Sequence, residues 1–130
     1  MQQSIAATSL GGTVKEKLYA ISAAGFRLVT LTDSELLVDE LSPAKLAELL
    51  RELGIRVSMF RAHAIFGSDD GQHRTLVRER IQRKFEVMQT MGASLMHVSL
   101  TREQADQRHA ETASQLAVLA DLAQSRGYAV

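Results

Sequence analysis

Ser42-Pro43-Ala44-Lys45-Leu46-Ala47-Glu48-Leu49-Leu50-Arg51-Glu52-Leu53-Gly54-Ile55-Arg56-Val57-Ser58-Met59-Phe60 contains one complete helix-to-strand unit. Ser42 can accept a hydrogen bond from a first-turn N–H, and Pro43 occupies a position where a missing N–H costs little. Leu46, Leu49, Leu50 and Leu53 recur at helical spacing and form one apolar face. Gly54 can take the left-handed conformation that closes a helix. The residues after it, Ile55 to Phe60, suit a strand.

The same grammar repeats in both directions. Upstream, Thr13 caps a helix to about Ala24. Glu16 stands three residues later, and Val14, Leu18 and Ile21 form the apolar stripe. Gly25 ends that helix, and Phe26-Arg27-Leu28-Val29-Thr30-Leu31 reads as a strand. Downstream, a helix over about Gln72–Met91 carries Val77, Ile81, Phe85 and Met88 on one side. Gly92 follows it, then Ala93-Ser94-Leu95-Met96-His97-Val98. A fourth helix, from about Gln104 or Ala110 to Ser125, aligns Leu116, Leu119 and Ala123 before Gly127-Tyr128-Ala129-Val130. Ser4–Ser9 supplies a first strand. The four glycines fall 29, 38 and 35 residues apart, the size of a βα repeat.

This order, βαβαβαβα with the start of a fifth strand, means a parallel sheet, because parallel neighbours need helical crossovers. No linker divides the chain, so residues 1–130 read as one α/β domain. Two architectures fit. A five-strand doubly wound sheet needs about this many residues. A (β/α)8 barrel needs about 250, so this chain would supply about four units plus the start of strand five. A complete doubly wound domain ends in a helix over its fifth strand. Here Val130 lies three residues into that strand, which favours the half barrel.

Composition excludes several functions. Fifteen Lys and Arg balance fifteen Asp and Glu, so no strong field attracts nucleic acid or an anionic membrane. There is no cysteine, hence no disulfide, thiolate metal site or cysteine nucleophile. Met1–Leu10 lacks the basic and apolar regions of a signal peptide, and no apolar run spans a bilayer. The expectation is a cytoplasmic protein.

The opening stretch Ser4-Ile5-Ala6-Ala7-Thr8-Ser9-Leu10-Gly11-Gly12-Thr13-Val14-Lys15-Glu16-Lys17-Leu18 is followed by Ala20 to Phe26. It closely resembles the start of bacterial 3-dehydroshikimate dehydratases, which belong to the xylose-isomerase-like superfamily of TIM barrels. Glu35-Leu36-Leu37 with Leu41-Ser42-Pro43, Arg83 to Gln89, and Met91-Gly92-Ala93 fit the same pattern. The resemblance implies a sugar-phosphate isomerase/epimerase type of fold. It also implies a lyase or isomerase activity for the full-length parent, with a divalent metal (Mg2+, Mn2+ or Co2+) and a small polyhydroxy keto acid or sugar as substrate. The metal ligands are expected beyond Val130, so the 130-residue chain alone is expected to be inactive. The active-face positions depart from the family. Thr30 replaces a strand-two glutamate, Asp33 stands for a second one, Ala64 holds an arginine position, and Val98-Ser99-Leu100 replaces a Cys-Ser-Asn-like end. These departures imply another substrate or lost catalysis.

Barrel active sites lie at the C-terminal ends of strands. Ser9, Thr32, Asp33, Arg61, His63, Ser99 and Thr101 fall there. Asp33 and His63 are the candidate acid or base groups; otherwise they are ordinary loop residues. Arg61, His97 and Ser99 are the candidate substrate-binding residues. An arginine can hold a carboxylate or phosphate in two prongs, whereas an inward histidine such as His97 is often structural. Asp69, Asp70 and His73 match no metal spacing and read as the lead-in to a helix. A half barrel exposes two strand edges, at strand one and at the incomplete strand five, which a homodimer would cover.

Overall fold

The computed structural model describes residues 2–39, 41–62, 73–99 and 109–130. Strand β1 is Ser4–Ala6, helix α1 is Val14–Ala23, β2 is Leu28–Thr32, α2 is Asp33–Val38 and α3 is Pro43–Leu53. Then follow β3 (Arg56–Ala62), α4 (His73–Met91), β4 (Met96–Val98) and α5 (His109–Arg126). The strands pair in the order β1-β2-β3-β4, all parallel. Ala129 continues the series by a parallel bridge to Leu95, with Met96 N–H donating to Ala129 O and Ala129 N–H to Ser94 O, both at 2.9 Å.

Strictly sequential order rules out the doubly wound alternative. That fold places β1 between two strands, and helices then lie on both faces. Right-handed crossovers between consecutive parallel neighbours put every helix on the same face. The helices accordingly pack as one layer, α1 on α3, α3 on α4 and α4 on α5. The core lies between that layer and the sheet, with Leu31, Phe60 and Met96 from the strands meeting Leu18, Ile81 and Phe85 from the helices. Phe85 is capped by Tyr128, ring centroids 5.1 Å apart, and by the Arg126 guanidinium at 5.8 Å.

The expected closures are present. Thr13 accepts from Glu16 N–H, and Glu16 reaches back to Thr13 N–H at 3.0 Å. Gly25, Gly54, Gly92 and Gly127 hold φ between 66° and 87°. In each case the next N–H donates to a carbonyl five residues back, as in Ile55 to Leu50 and Ala93 to Met88, both at 2.9 Å. This is the Schellman closure, and it drops an apolar residue into the core as the strand begins.

Three expectations need correction. Strand one is shorter than Ser4–Ser9: after Ala6 the chain makes a 3-10 turn over Ala7–Ser9, with Ala7 fully buried and Leu10 N–H returning to Ala7 O. Strand three runs past Phe60 to Ala62, so Arg61 belongs to the sheet rather than to a following loop. The segment after β2 is a helix, α2, rather than a loop. The reason is local: Thr32 is the last strand residue and also the N-cap, and its N–H donates to the Glu35 carboxylate at 3.0 Å.

Strand β3 carries a bulge that controls which residues face inward. Val29 pairs with Val57, but Thr30 pairs with Met59, so Ser58 is the extra residue. The Ser58 hydroxyl donates to Val29 O at 3.2 Å and bonds the Ser4 hydroxyl at 2.6 Å. Beyond the bulge, Phe60 and Ala62 turn to the helices and Arg61 to the opposite face.

Candidate functional site

The face of the sheet away from the helices is lined by alternate strand residues. At the C-terminal end, pairing sets Thr32, Arg61 and His97 side by side in one row across β2, β3 and β4. Parallel neighbours stand about 4.8 Å apart, so Arg61 and His97 can share one small ligand, whereas Thr32 is buried. Ser99 lies two residues beyond His97 and is exposed, as His97 is. Beneath the row, Thr30 pairs with Met59.

The carboxylates at this end are engaged elsewhere. Asp33, the first residue of α2, is only 6% exposed, and its Oδ2 lies 2.6 Å from Lys84 Nζ of α4. Glu35 is 8% exposed; its Oε1 lies 3.0 Å from Lys17 Nζ of α1, and its Oε2 holds the β2–α2 junction. The Asp39 carboxylate accepts a hydrogen bond from Val14 N–H, where the positive end of the α1 dipole favours it. Helix α2 is thereby tied to the helices on both sides. The Thr32 hydroxyl bonds Ser34 Oγ at 2.8 Å and lies 3.3 Å from Glu35 Oε2.

Among the candidate residues, the structure brings Arg61 and His97 together in register and leaves Ser99 exposed just past the end of β4. Asp33 sits apart from them, joined to the helix layer through Lys84. His63, Asp69, Asp70 and Thr101 lie outside the described residues. Sequence reasoning missed Lys17, Glu35 and Lys84. The pattern Thr32-x-x-Glu35 could have revealed the α2 start, but no short-range signal pairs a residue of α2 with Lys84, 51 positions away from Asp33.

A family model of xylose isomerase-like TIM barrels matches residues 18–130. The chain belongs to that family. Among curated relatives, the 3-dehydroshikimate dehydratase of Pseudomonas putida is 39% identical over 101 residues, covering 75% of this chain and 15% of its own length. The enzyme of the same description from Pseudomonas aeruginosa is 39% identical over 98 residues, covering 75% of this chain and 16% of its own length. The chain therefore spans a small part of those proteins. A solved fusion of a xylose isomerase-like TIM barrel with 4-hydroxyphenylpyruvate dioxygenase superposes with a TM-score of 0.77 at 33% identity, over 98% of this chain and 21% of that one. The IolI protein, solved with a bound zinc atom, superposes at 0.74 and 17% identity over 98% of this chain and 49% of its own. A D-psicose 3-epimerase from Clostridium cellulolyticum superposes at 0.71 and 13% identity over 98% and 50%. These last two likenesses show the fold: one half of a barrel.

Among the described residues, the donor set does not fit a divalent metal such as the zinc bound in the IolI structure. Among the described residues, no three His, Asp or Glu side chains converge. The inward row offers one imidazole beside a guanidinium, whose charge repels a cation, and the two nearest carboxylates are held by lysines. Among the described residues, no helix is long and apolar enough to cross a membrane.

Proposed function

We propose that this chain forms the substrate-facing first half of a 3-dehydroshikimate dehydratase-type lyase, with related isomerases and epimerases as the neighbouring chemistry. The observation that carries the reading is the polar pair Arg61–His97 at the C-terminal strand ends, where barrels of this kind work. The 39% identity to two dehydratases supplies the reaction class. Loss of water from 3-dehydroshikimate requires a base at a carbon next to a ketone, and an anionic substrate requires a positive anchor. In this reading Arg61, His97 and Ser99 contact substrate, and Asp33 and His63 are the acid or base candidates. In this reading the divalent metal (Mg2+, Mn2+ or Co2+) is held by residues beyond Val130.

The test is conversion of 3-dehydroshikimate to protocatechuate by a polypeptide that continues this chain into a full barrel, assayed with each metal. Turnover by the longer protein and none by the 130-residue chain is the expected result. Absence of turnover with every metal, over a panel of polyhydroxy keto acids and sugars, would refute the lyase reading. It would favour a second one, a non-catalytic half barrel that self-associates. That alternative has its own support in β1, an edge strand whose Ser4-Ile5-Ala6 carries no charge or proline to block pairing. A monomer by light scattering would count against it.

A further inference from the structure

We infer that Arg61 and His97 form a carboxylate-binding site that works without a metal ion. The inference deepens the lyase reading and depends on it only for the identity of the substrate.

The argument begins with the bulge at Ser58. It reverses the alternation of β3, so that Phe60 and Ala62 enter the core and Arg61 faces the barrel interior. His97 pairs with Arg61, and it is exposed between Met96 in the core and the half-buried Val98. A guanidinium and an imidazole therefore stand on adjacent strands and on one face.

Charge accounting gives the second step. The two buried carboxylates at this end of the sheet, Asp33 and Glu35, are matched by Lys84 and Lys17. Arg61 is half-buried and makes no hydrogen bond or ion pair among the described residues. The described positions around it on this face are Thr30, Thr32, Met59, Leu95 and His97, none of them acidic. Among the described residues, the interior face thus carries one permanent positive charge with no acidic partner. It sits in a partly desolvated setting, where such a charge gains most from an anion.

The ligand class follows from that single charge. A guanidinium presents parallel N–H donors that match the two oxygens of a carboxylate. One permanent cation balances one monoanion, while a phosphate dianion would remain half unmatched. His97 and the Ser99 hydroxyl can add hydrogen bonds to the same ligand. The occupant is the carboxylate of a small hydroxylated acid.

The test is an NMR titration of the metal-free protein, prepared with EDTA, following the His97 imidazole signals assigned with His97→Asn. Three probes are compared: 3-dehydroshikimate, its neutral methyl ester, and inorganic phosphate. The acid is expected to shift His97, the ester to bind roughly tenfold or more weakly, and phosphate to bind more weakly than the acid. Arg61→Gln should cost the acid a similar factor, with an unchanged far-UV spectrum and melting temperature. Arg56→Gln, at the exposed opposite end of the same strand, should leave binding intact. Equal binding of acid and ester, equal loss in Arg56→Gln and Arg61→Gln, preference for phosphate, or no binding of the acid would each overturn the inference. A longer protein that binds the acid through Arg61 but never turns over would refute the lyase reading alone. Turnover insensitive to Arg61 would overturn this site and leave the lyase reading intact.

Discussion

Replacing Lys84 by Met separates a structural Asp33 from a catalytic one. The Lys84 ammonium lies 2.6 Å from Asp33 Oδ2, and the two side chains are 24% and 9% exposed. Exposed pairs are worth about 0.2–1 kcal/mol, whereas removing one partner of a fully buried pair costs about 3–5 kcal/mol. A pair whose lysine is one-quarter exposed falls between, so Lys84→Met should cost about 2–3 kcal/mol. Asp33→Asn should cost a similar amount, because it leaves the ammonium partly buried beside a neutral amide. The double variant removes both charges, so its loss should fall short of the sum by about 1–2 kcal/mol. Urea unfolding of the four proteins, followed by far-UV circular dichroism, would read the cycle. A loss of 2 kcal/mol moves the midpoint by about 1 M at a slope near 2 kcal/mol per molar. A coupling energy below about 0.3 kcal/mol would refute the claim that the pair holds α2 to α4. An Asp33→Asn protein with an unchanged midpoint but no turnover in the longer protein would give Asp33 a chemical role.

Phe85→Ala should cost about 3–5 kcal/mol, since the ring is fully buried and packs against Tyr128 and Arg126, so its removal opens a cavity; the same urea transition reads it. Gly12→Ala should cost about 1–2 kcal/mol and more than Gly54→Ala. Both glycines have positive φ, but a Cβ at Gly12 would sit 2.5 Å from the Glu16 carboxylate that caps α1, while at Gly54 it meets nothing within 4 Å. Equal melting temperatures for the two glycine variants would contradict that ranking.

Repeating units were legible because their signals are short-range. A cap such as Ser42 or Thr13, a stripe such as Leu46 and Leu50, and a closing glycine such as Gly54 each act within one or two turns. The parallel class followed from those units by topology. The choice between half barrel and doubly wound sheet did not, because both use the same local pieces. Only the pairing of β1 with β2, rather than between two strands, separates them. The placement of the candidates was legible in part. Arg61 and His97 are candidates because strand ends are where barrels act, and the pairing of β3 with β4 sets them side by side. Asp33 was flagged for its position, but its engagement by Lys84 depends on a contact spanning 51 residues that no spacing rule exposes.

The β3 bulge shows why face assignment is the hardest part of such a reading. A strict two-residue alternation from Val57 would put Met59 and Arg61 into the core and turn Phe60 toward the barrel interior. Burying an unpaired guanidinium costs several kcal/mol, and exposing Phe60 forfeits about 1.5–3 kcal/mol of apolar burial, so that register is strongly disfavoured. One extra residue reverses every later side chain. Ser58 is suited to be that residue: its hydroxyl bonds Val29 O and Ser4 Oγ, so the bulged segment's polar side chain stays satisfied. The core beyond the bulge is completed by Phe60 and Ala62. The displacement that satisfies the core also places Arg61 beside His97. The packing of the core and the pairing of Arg61 with His97 are therefore two consequences of one backbone irregularity.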